Sequence, residues 1–540
     1  MHSRDERAQF DGRRYLAAGC VLALLLGTAV LFRIDGLGNV PGVNGDEAWM
    51  GVQAESLLHG ETVQWRTPTG NLLNPFHFAP QVVLHAVGEP SIALLRTTAM
   101  VSSLLAIGLN FWLASRVFDL RVAIVSSALL TLLPINIAYA RFAWDASQSV
   151  LFTLPVVYLP LLALRERRWK YWLLAAICFV AALLVHPTNI FVAPMLLTPV
   201  VVAVGPRVAA MWRHGEYRLR LVAVMGIVCV VTMVGAVLLR SWLQVAAGRM
   251  FDLAQWRAFS VLYLDFLSGT TIYQFVSGTS DGSDWAAVVG RLLVLGVLSA
   301  AAVGFARQWK NSGSRQQSLW GPSLLGPLLL GYAVSLLGFF LVAGPEAIQP
   351  HYERYAMVLI PGLVVLVSVG LQVWLFPPGA RSAAVFRWSA LTVAALWLTT
   401  FHLNYLSSMR STGGESHLAF RTAGVDPKEA ALREIVASGD GRSPIVIVAG
   451  QWWNYWPLKY LAYRYPHVEV IGLDQAEQLA AELVAGDRAD RIWFVEFHGS
   501  PQQLAVQARL RSSGFEIHET TFNDYGGAPV VGVLQPRAVE

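Results

Sequence analysis

The sequence predicts a polytopic α-helical membrane protein with a small α/β domain at its C-terminal end. Of 540 residues, 55% are hydrophobic and only 14% are charged, and the mean hydropathy is +0.49. Soluble domains contain about 25% charged residues, so this composition excludes an ordinary soluble protein. Apolar runs of span length continue to about residue 405, and strand-like runs replace them beyond residue 413. The expected surroundings are a lipid bilayer, and no nucleic-acid partner is expected.

The predicted spans are apolar runs long enough to cross a hydrocarbon core of ~30 Å. The chain contains about eleven of them, separated by polar breaks: roughly 15–33, 91–114, 121–138, 146–164, 171–185, 188–205, 219–239, 286–306, 322–343, 355–376 and 387–405. The fifth run is short for a span, and His186-Pro187 marks its boundary with the sixth only weakly. The cysteines all fall in apolar runs, so no disulfide framework is predicted.

Basic residues cluster in every second break between these runs. They precede the first run and fill the even-numbered breaks, with examples at Arg13, Arg116, Arg168, Arg213 and Lys310. Such breaks face the cytoplasm according to the positive-inside rule. The N-terminus is therefore predicted to be cytoplasmic, and the C-terminal domain extracytoplasmic. The first run has no small-residue cleavage site after it, which indicates a retained span in the plasma or inner membrane.

Two adjacent carboxylates, Asp46 and Glu47, follow the first run. They lie in the first extracytoplasmic loop, about 34–90, and open an amphipathic run that ends at Leu58. An ionised carboxylate at a membrane surface loses part of its hydration. It is therefore expected either to pair with another group or to have a functional role. The plainer interpretation is a helix start, in which Asn44 or Asp46 is the N-cap and Glu47 complements the helix dipole. The spacing alone supports both interpretations equally.

Other polar groups converge on the same predicted membrane face. Arg141 and Asp145 occupy the third break, a long loop at about 240–285 carries aromatic residues among acids, and residues 351–355 open the tenth run. A transporter would place such groups within spans near the midplane. The runs contain almost no charge apart from Arg96, which is expected to pair with Glu89 or another loop carboxylate. The site is therefore predicted at the outer surface.

The C-terminal region, 413–540, has the pattern of a small α/β domain. Its predicted strands and helices alternate along the chain: strands at 445–448, 468–471, 492–495 and 530–533, and helices at 475–484 and 502–511. It has no Gly-x-Gly-x-x-Gly loop, which disfavours nucleotide binding. The aromatic cluster from Trp452 to Trp456 could stack on sugar rings, although such clusters more often pack within their own domain or on headgroups.

Five short motifs follow one another along the chain between residues 15 and 405. They are the acidic pair, Asn74-Pro75-Phe76 before a short apolar helix, the run from Glu89 to Arg96, the run from Leu133 to Asp145, and His351-Tyr352-Glu353-Arg354-Tyr355. Their order and membrane side resemble the GT-C glycosyltransferases, in the branch of the protein O-mannosyltransferases and the lipid A aminoarabinose transferase. The resemblance predicts a GT-C-like transmembrane module over residues 1–406. It does not extend to the C-terminal domain.

The resemblance implies an enzyme, a hexosyl or pentosyl transferase that inverts the sugar configuration. The donor would be a sugar linked to a polyprenyl phosphate, and the acceptor a hydroxyl of a protein, glycan or lipid at the extracytoplasmic face. Asp46 maps onto the general base or acceptor-orienting position of the family, and Glu47 and Asp145 onto further acidic catalytic positions. The sequence contains no pair of histidines at the spacing of zinc ligands, so a zinc site is not predicted. A divalent cation, Mg or Mn, held by Asp46 and Asp145 is left open.

The resemblance also implies a binding site for the donor phosphate. Arg354 and Arg141 are the candidate arginines, because a guanidinium binds phosphate through two hydrogen bonds. His351, Tyr355 and His77 are further candidates. The aminoarabinose branch carries a Lys-Pro-Pro-type segment in the interfacial helix, where this chain has Phe76-His77-Phe78. The plainer roles are a cap for the fourth span at Asp145 and a headgroup anchor at Arg354.

A polytopic transporter or lipid-linked-sugar flippase with an accessory outer domain is the rival interpretation. The nearly charge-free runs speak against it. The two interpretations differ in one geometric expectation. A transferase requires Asp46, Asp145 and Arg354 to meet in one outward-facing cavity.

Overall fold

The computed structural model describes residues 4–214, 240–273, 284–311, 322–377, 380–416, 420–439, 442–473 and 491–538. Up to residue 411 the described chain is a bundle of helices. The first half of the bundle contains nine α-helices: α1 Arg4–Ile34, α2 Gly45–Leu58, α3 Pro75–His85, α4 Ile92–Val117, α5 Leu120–Leu132, α6 Pro134–Tyr139, α7 Ser149–Glu166, α8 Lys170–Val185 and α9 Ala193–His214. Short 3₁₀ turns at Asp145–Gln148 and Pro187–Val192 lead into α7 and α9.

The second half of the bundle begins in the long loop predicted at 240–285, which is itself largely helical. Its α-helices are α10 Arg240–Met250, α11 Leu253–Ser268, α12 Thr270–Tyr273, α13 Asp284–Asn311, α14 Pro322–Ala343, α15 Ile360–Leu375, α16 Ala380–Phe401 and α17 Ser408–Ser411. The connection from α14 to α15 contains 3₁₀ turns at Pro345–Ile348 and Glu353–Leu359. A π-helical turn, His402–Ser407, joins α16 to α17.

Eight of the described helical segments are long and apolar enough to cross a membrane. Two shorter apolar helices, α5 and α8, coincide with further predicted spans, and the run predicted at 219–239 lies outside the described residues. The chain is thus a multi-pass membrane protein. The predicted spans contain almost no charge apart from Arg96, and one further charge within them is Arg291 in α13. Its Nε lies 2.5 Å from the Asp265 carboxylate, so this charge is paired.

The predicted α/β domain contains a five-stranded sheet. Its strands are β1 Ile445–Ala449, β2 Val468–Gly472, β3 Ile492–Phe497, β4 Phe515–Asn523 and β5 Pro529–Ala538. The order is β2-β1-β3-β5-β4, with β1 parallel to β2 and β3, and β5 antiparallel to β3 and β4. The domain helices are α18 Val425–Ser438, α19 Trp452–Ala462 and α20 Pro501–Ser512. The helix predicted at 475–484 lies outside the described residues.

The domain docks on the bundle through α19, which packs against α2. A Cβ on Gly45 would lie 2.3 Å from the Trp452 ring, and one on Gly51 would lie 2.6 Å from the Tyr460 ring. These two glycines therefore permit the close approach of the two helices. The buried Tyr460 hydroxyl also hydrogen-bonds His85 Nε2 at 2.7 Å, which ties the domain to α3. The C-terminal domain and the loop that contains α2 and α3 consequently form one continuous unit.

The charge pattern predicts that this unit lies outside the cytoplasm. A reporter enzyme that folds only after export, fused after residue 540, should be active, because the alternating basic breaks orient the spans. The measurement is the activity of this fusion beside that of a reporter that works only in the cytoplasm. Activity of the cytoplasmic reporter alone would contradict the predicted orientation.

Candidate active site

Helix α2 begins at Gly45 because Asn44 caps it. The Asn44 Oδ1 accepts a hydrogen bond from the backbone N–H of Asp46 at 2.8 Å. Its Nδ2 donates to the carbonyls of Phe420 and Arg421 at 2.8 and 3.1 Å. A cap that also binds a distant segment fixes where the helix starts. Asp46 is therefore not the cap, and its side chain is available for another role.

The second carboxylate of the pair is fully buried and bound to Arg96. The Nη2 of Arg96 lies 2.8 Å from Oε2 of Glu47, and its Nε lies 3.0 Å from Oε1. The guanidinium also donates to the carbonyls of Leu37, Pro41 and Gly42, at 3.1, 2.7 and 2.8 Å. The charge of Arg96 is thus compensated by a loop carboxylate, as the sequence predicts. The pair holds the start of α2 against the loop that precedes it.

Asp46 is exposed in the first turn of α2 and opens into a cavity of about 130 Å³. The cavity brings together residues from the first loop, the turns before α7, α9 and α15, and the C-terminal domain. Its lining consists of Asp46, Trp49, Met50, Thr67, Pro68, Thr69, Asn71, Ala143, Trp144, Asp145, His186, Arg354, Tyr355 and Trp452. Four predicted site residues therefore share one cavity: Asp46, Asp145, Arg354 and Tyr355.

Aromatic rings and a turned backbone orient the guanidinium of Arg354. Its Cζ lies 4.1 Å from the centroid of the Trp144 ring and 4.8 Å from that of Tyr355. Its Nη1 donates to the carbonyl of His351, and its Nη2 donates to the Tyr355 hydroxyl at 3.2 Å. His351 has a φ of +74°, a strained conformation for a residue other than glycine. Stacking on the rings leaves the cation preorganised at the cavity wall.

Trp452 reaches the cavity from the C-terminal domain. Its indole Nε1 donates to Oδ1 of Asp46 at 2.9 Å. Loss of hydration in the cavity raises the pKa of Asp46 above its ordinary value, and the nearby charge of Asp145 adds to this rise. The charge of Arg354 and the Trp452 hydrogen bond oppose it. A carboxylate with a raised pKa is a better proton acceptor, because its conjugate acid is weaker.

The other predicted site residues lie behind the cavity wall. Glu47 is held by Arg96, and the buried Arg141 donates to backbone carbonyls, including that of Val40 at 2.8 Å. His77 is fully buried, and burial lowers its pKa to about 4. The ring of His77 is therefore neutral at pH 7 and supplies no cation for a phosphate. His351 lies beside Trp144, with the ring centroids 5.6 Å apart, and contributes its carbonyl to Arg354.

Sequence reasoning missed several groups that line the cavity. Trp452 belongs to an aromatic cluster expected to pack within its own domain, and nothing in the local pattern links it to Asp46. His186 marks only a weak span boundary in the sequence. Thr67, Thr69 and Asn71 belong to a tight turn of the first loop, closed by the Thr67 N–H to Asn71 carbonyl bond of 2.8 Å. These turn residues follow no helical or strand periodicity, so the sequence does not indicate that their hydroxyl and amide groups line the cavity.

The chain is similar to known proteins in part of its sequence and in its overall fold. Residues 75–235 match the family described as dolichyl-phosphate-mannose-protein mannosyltransferase. ArnT from Cupriavidus metallidurans in the apo state is similar over 96% of this chain and 98% of its own, with a TM-score of 0.50 and 15% identity. The protein has the GT-C fold. The resemblance predicted from its motifs is thereby confirmed.

A second GT-C structure extends the similarity to a larger protein. The archaeal oligosaccharyltransferase AglB from Archaeoglobus fulgidus, in complex with an inhibitory peptide and a dolichol-phosphate, has a TM-score of 0.50 and 12% identity. The similarity covers 98% of this chain and 75% of AglB. No curated protein sequence matches the chain. The family match begins after Asp46 and ends before Arg354, so it bears on only part of the cavity.

The Glu47–Arg96 pair leads to a prediction about stability. Glu47→Gln should lower the free energy of unfolding by roughly 3–5 kcal/mol, because it leaves a buried guanidinium without its counter-charge. Thermal unfolding of the detergent-solubilised protein measures this loss. Asp46→Asn is the matched control in the same helical turn and should unfold close to wild type. Equal stability of Glu47→Gln and wild type would show that the pair does not hold α2.

Proposed function

We propose that the protein is a membrane glycosyltransferase with its active site at the extracytoplasmic face. It moves a sugar from a polyprenyl-phosphate-linked donor to an acceptor hydroxyl, with Asp46 as the general base. The observation that carries the proposal is the shared cavity of Asp46 and Arg354. It combines a proton acceptor with a cation, the two groups that this transfer needs.

The proposed reaction is a single displacement at the anomeric carbon of the donor sugar. The acceptor oxygen forms a bond to this carbon while its proton passes to the Asp46 carboxylate. The bond from the carbon to the phosphate oxygen breaks, and the polyprenyl phosphate leaves with the electron pair. Attack opposite the leaving group inverts the configuration. A positioned base contributes typically about 10²–10⁴-fold to such a step, since a hydroxyl is a weak nucleophile.

Arg354 is the proposed ligand of the donor phosphate. Its guanidinium can form two parallel hydrogen bonds to phosphate oxygens, and these bonds strengthen as charge develops on the leaving group. Tyr355 adds a hydroxyl at the same wall. AglB, which has the same fold, binds a dolichol-phosphate, and the matching family is described by a dolichyl-phosphate sugar. Both findings support a polyprenyl phosphate as the lipid part of the donor.

A divalent cation would be held by Asp46 and Asp145. Among the described residues no group of three or more His, Cys, Asp or Glu side chains could hold a metal ion. Mg²⁺ usually keeps several water ligands and needs only one or two carboxylates, and Asp46 and Asp145 are two carboxylates that line one cavity. When bound, the ion would supply positive charge within the cavity.

The first functional prediction concerns Asp46→Asn. Transfer should fall about 10²-fold or more, roughly 2.7 kcal/mol of barrier, because the amide cannot accept the proton. The helix should stay intact, because Asn44 provides the cap. The measurement is single-turnover transfer from a synthetic polyprenyl phosphosugar, normalised to folded protein. Asp252→Asn, which changes the exposed cap of α11, is the matched control and should transfer normally. Activity of Asp46→Asn within a few-fold of wild type would remove Asp46 from the chemistry.

The second functional prediction concerns Trp452→Phe, which removes the N–H that stabilises the ionised Asp46. The pKa of Asp46 should rise further, so the acidic limb of the pH–rate profile should move to higher pH. The rate well above that limb should change little, because the base is then fully ionised. Trp456→Phe alters a ring that packs on Trp452 at 5.4 Å and should leave the limb in place. An unshifted limb in Trp452→Phe would mean that Asp46 does not set it.

A further inference from the structure

The C-terminal domain contains a second, larger cavity of about 410 Å³, which we call the domain cavity. The polar and aromatic side chains of its lining are Glu415, Arg421, Thr422, Gln451, Trp453, Phe497, His498 and Asp524. Gln451 and Trp453 follow the carboxyl end of β1, and His498 follows that of the parallel strand β3. Ligands of open α/β sheets bind outside the carboxyl ends of parallel strands.

The side chains of the domain cavity suit a saccharide. The indole of Trp453 offers a flat apolar face for a sugar ring. Carboxylate, amide, imidazole and guanidinium groups around it can donate to and accept from sugar hydroxyls. Two carboxylates, Glu415 and Asp524, accompany the single guanidinium of Arg421, so the wall does not favour a multiply charged anion. The volume lies within the range of about 300–1,000 Å³ typical of small-molecule sites.

Two residues of the domain cavity, Arg421 and Trp453, are linked to Asp46 through one intermediate residue each. On one wall, the carbonyl of Arg421 accepts from Asn44 Nδ2 at 3.1 Å, and Asn44 Oδ1 accepts from the backbone N–H of Asp46 at 2.8 Å. On the other wall, Trp453 is the chain neighbour of Trp452, which donates to the Asp46 carboxylate at 2.9 Å. The domain cavity and the cavity of Asp46 are therefore formed by adjoining segments, which meet at Asn44 and at Trp452.

Arg421 has a strained backbone at this wall. Its φ of +45° lies in the left-handed region, which favours glycine. The Asn44 side chain and the backbone pairing of Val43 with Ala423, at 3.0 Å, hold the segment in place. Strain of this kind concentrates at ligand sites. The side chain of Arg421 is exposed, and no hydrogen bond or ion pair joins its guanidinium to another residue within the described part of the chain.

We propose that the domain cavity binds the acceptor, and that the acceptor is an oligosaccharide. The inference rests on the proposed transferase function and names its acceptor class. One part of the saccharide stacks on Trp453, and the hydroxyl that receives the new sugar reaches Asp46. The C-terminal domain is thus the acceptor-binding part of the enzyme.

The first test is binding of the full-length protein, in lipid nanodiscs, to an array of neutral di- to hexasaccharides. Wild type should be retained on at least one saccharide class, and Trp453→Ala should lose about tenfold in affinity as stacking is removed. Trp169→Ala, at an exposed tryptophan between α7 and α8, is the control and should bind normally. Failure of wild type to bind any saccharide would overturn the proposal. Equal losses in both variants, or retention on hydroxyl-bearing peptides alone, would also overturn it.

Arg421→Gly provides a second variant that is expected to fold. Glycine adopts the left-handed conformation without strain, so thermal stability should be kept or improved while the guanidinium is lost. Saccharide affinity should fall severalfold, and an unchanged affinity would contradict a role for this wall.

Transfer assays with the same proteins separate this inference from the proposed function. In Asp46→Asn, saccharide binding should stay at the wild-type level although transfer is lost. Saccharide binding by a wild type that does not consume the polyprenyl phosphosugar would overturn the transferase while leaving a saccharide site. Transfer to peptide or lipid acceptors, with no saccharide bound, would overturn the acceptor class alone.

Discussion

The buried ion pair of Glu47 and Arg96 fixes the end of the helical bundle on which the C-terminal domain docks. Arg96 directs its guanidinium at one carboxylate and three backbone carbonyls, all within 3.1 Å. Burying two charges costs about as much as their attraction returns, so the value of such a pair lies in position more than in stability. In the observed arrangement of the loop before α2 and the first turn of α2, each nitrogen of the Arg96 guanidinium donates to an acceptor. In that arrangement Asp46 faces the cavity.

The different roles of the Asp46 and Glu47 carboxylates follow from helix geometry. Adjacent residues of an α-helix point about 100° apart, so one of the pair turns inward when the other turns outward. The sequence supports a catalytic pair and a helix start equally, and the structure combines parts of both. Asn44 provides the cap, Glu47 the anchor and Asp46 the cavity carboxylate. The residue types of Asp46 and Glu47 alone do not show which of them pairs with Arg96 and which faces the cavity.

Much of the architecture is readable from local patterns, because hydrophobic runs and strand periodicity are local. The spans and four strands of the domain carry such signals. The strand β4, Phe515–Asn523, was not predicted, because it is an edge strand with largely exposed residues and little apolar alternation. The cavity could be predicted only in part. Trp452 meets Asp46 across 406 positions of sequence, a contact made by the packing of α19 on Gly45 and Gly51.

In the proposed mechanism, Asp46 and Arg354 face opposite sides of one reacting bond. A cryo-EM structure of the protein in nanodiscs, with a non-transferable polyprenyl phosphosugar analogue, tests it most directly. We expect phosphate density within hydrogen-bonding distance of the Arg354 guanidinium, and the anomeric carbon between this phosphate and the Asp46 carboxylate. Phosphate density bound away from Arg354, or an anomeric carbon turned away from Asp46, would contradict it.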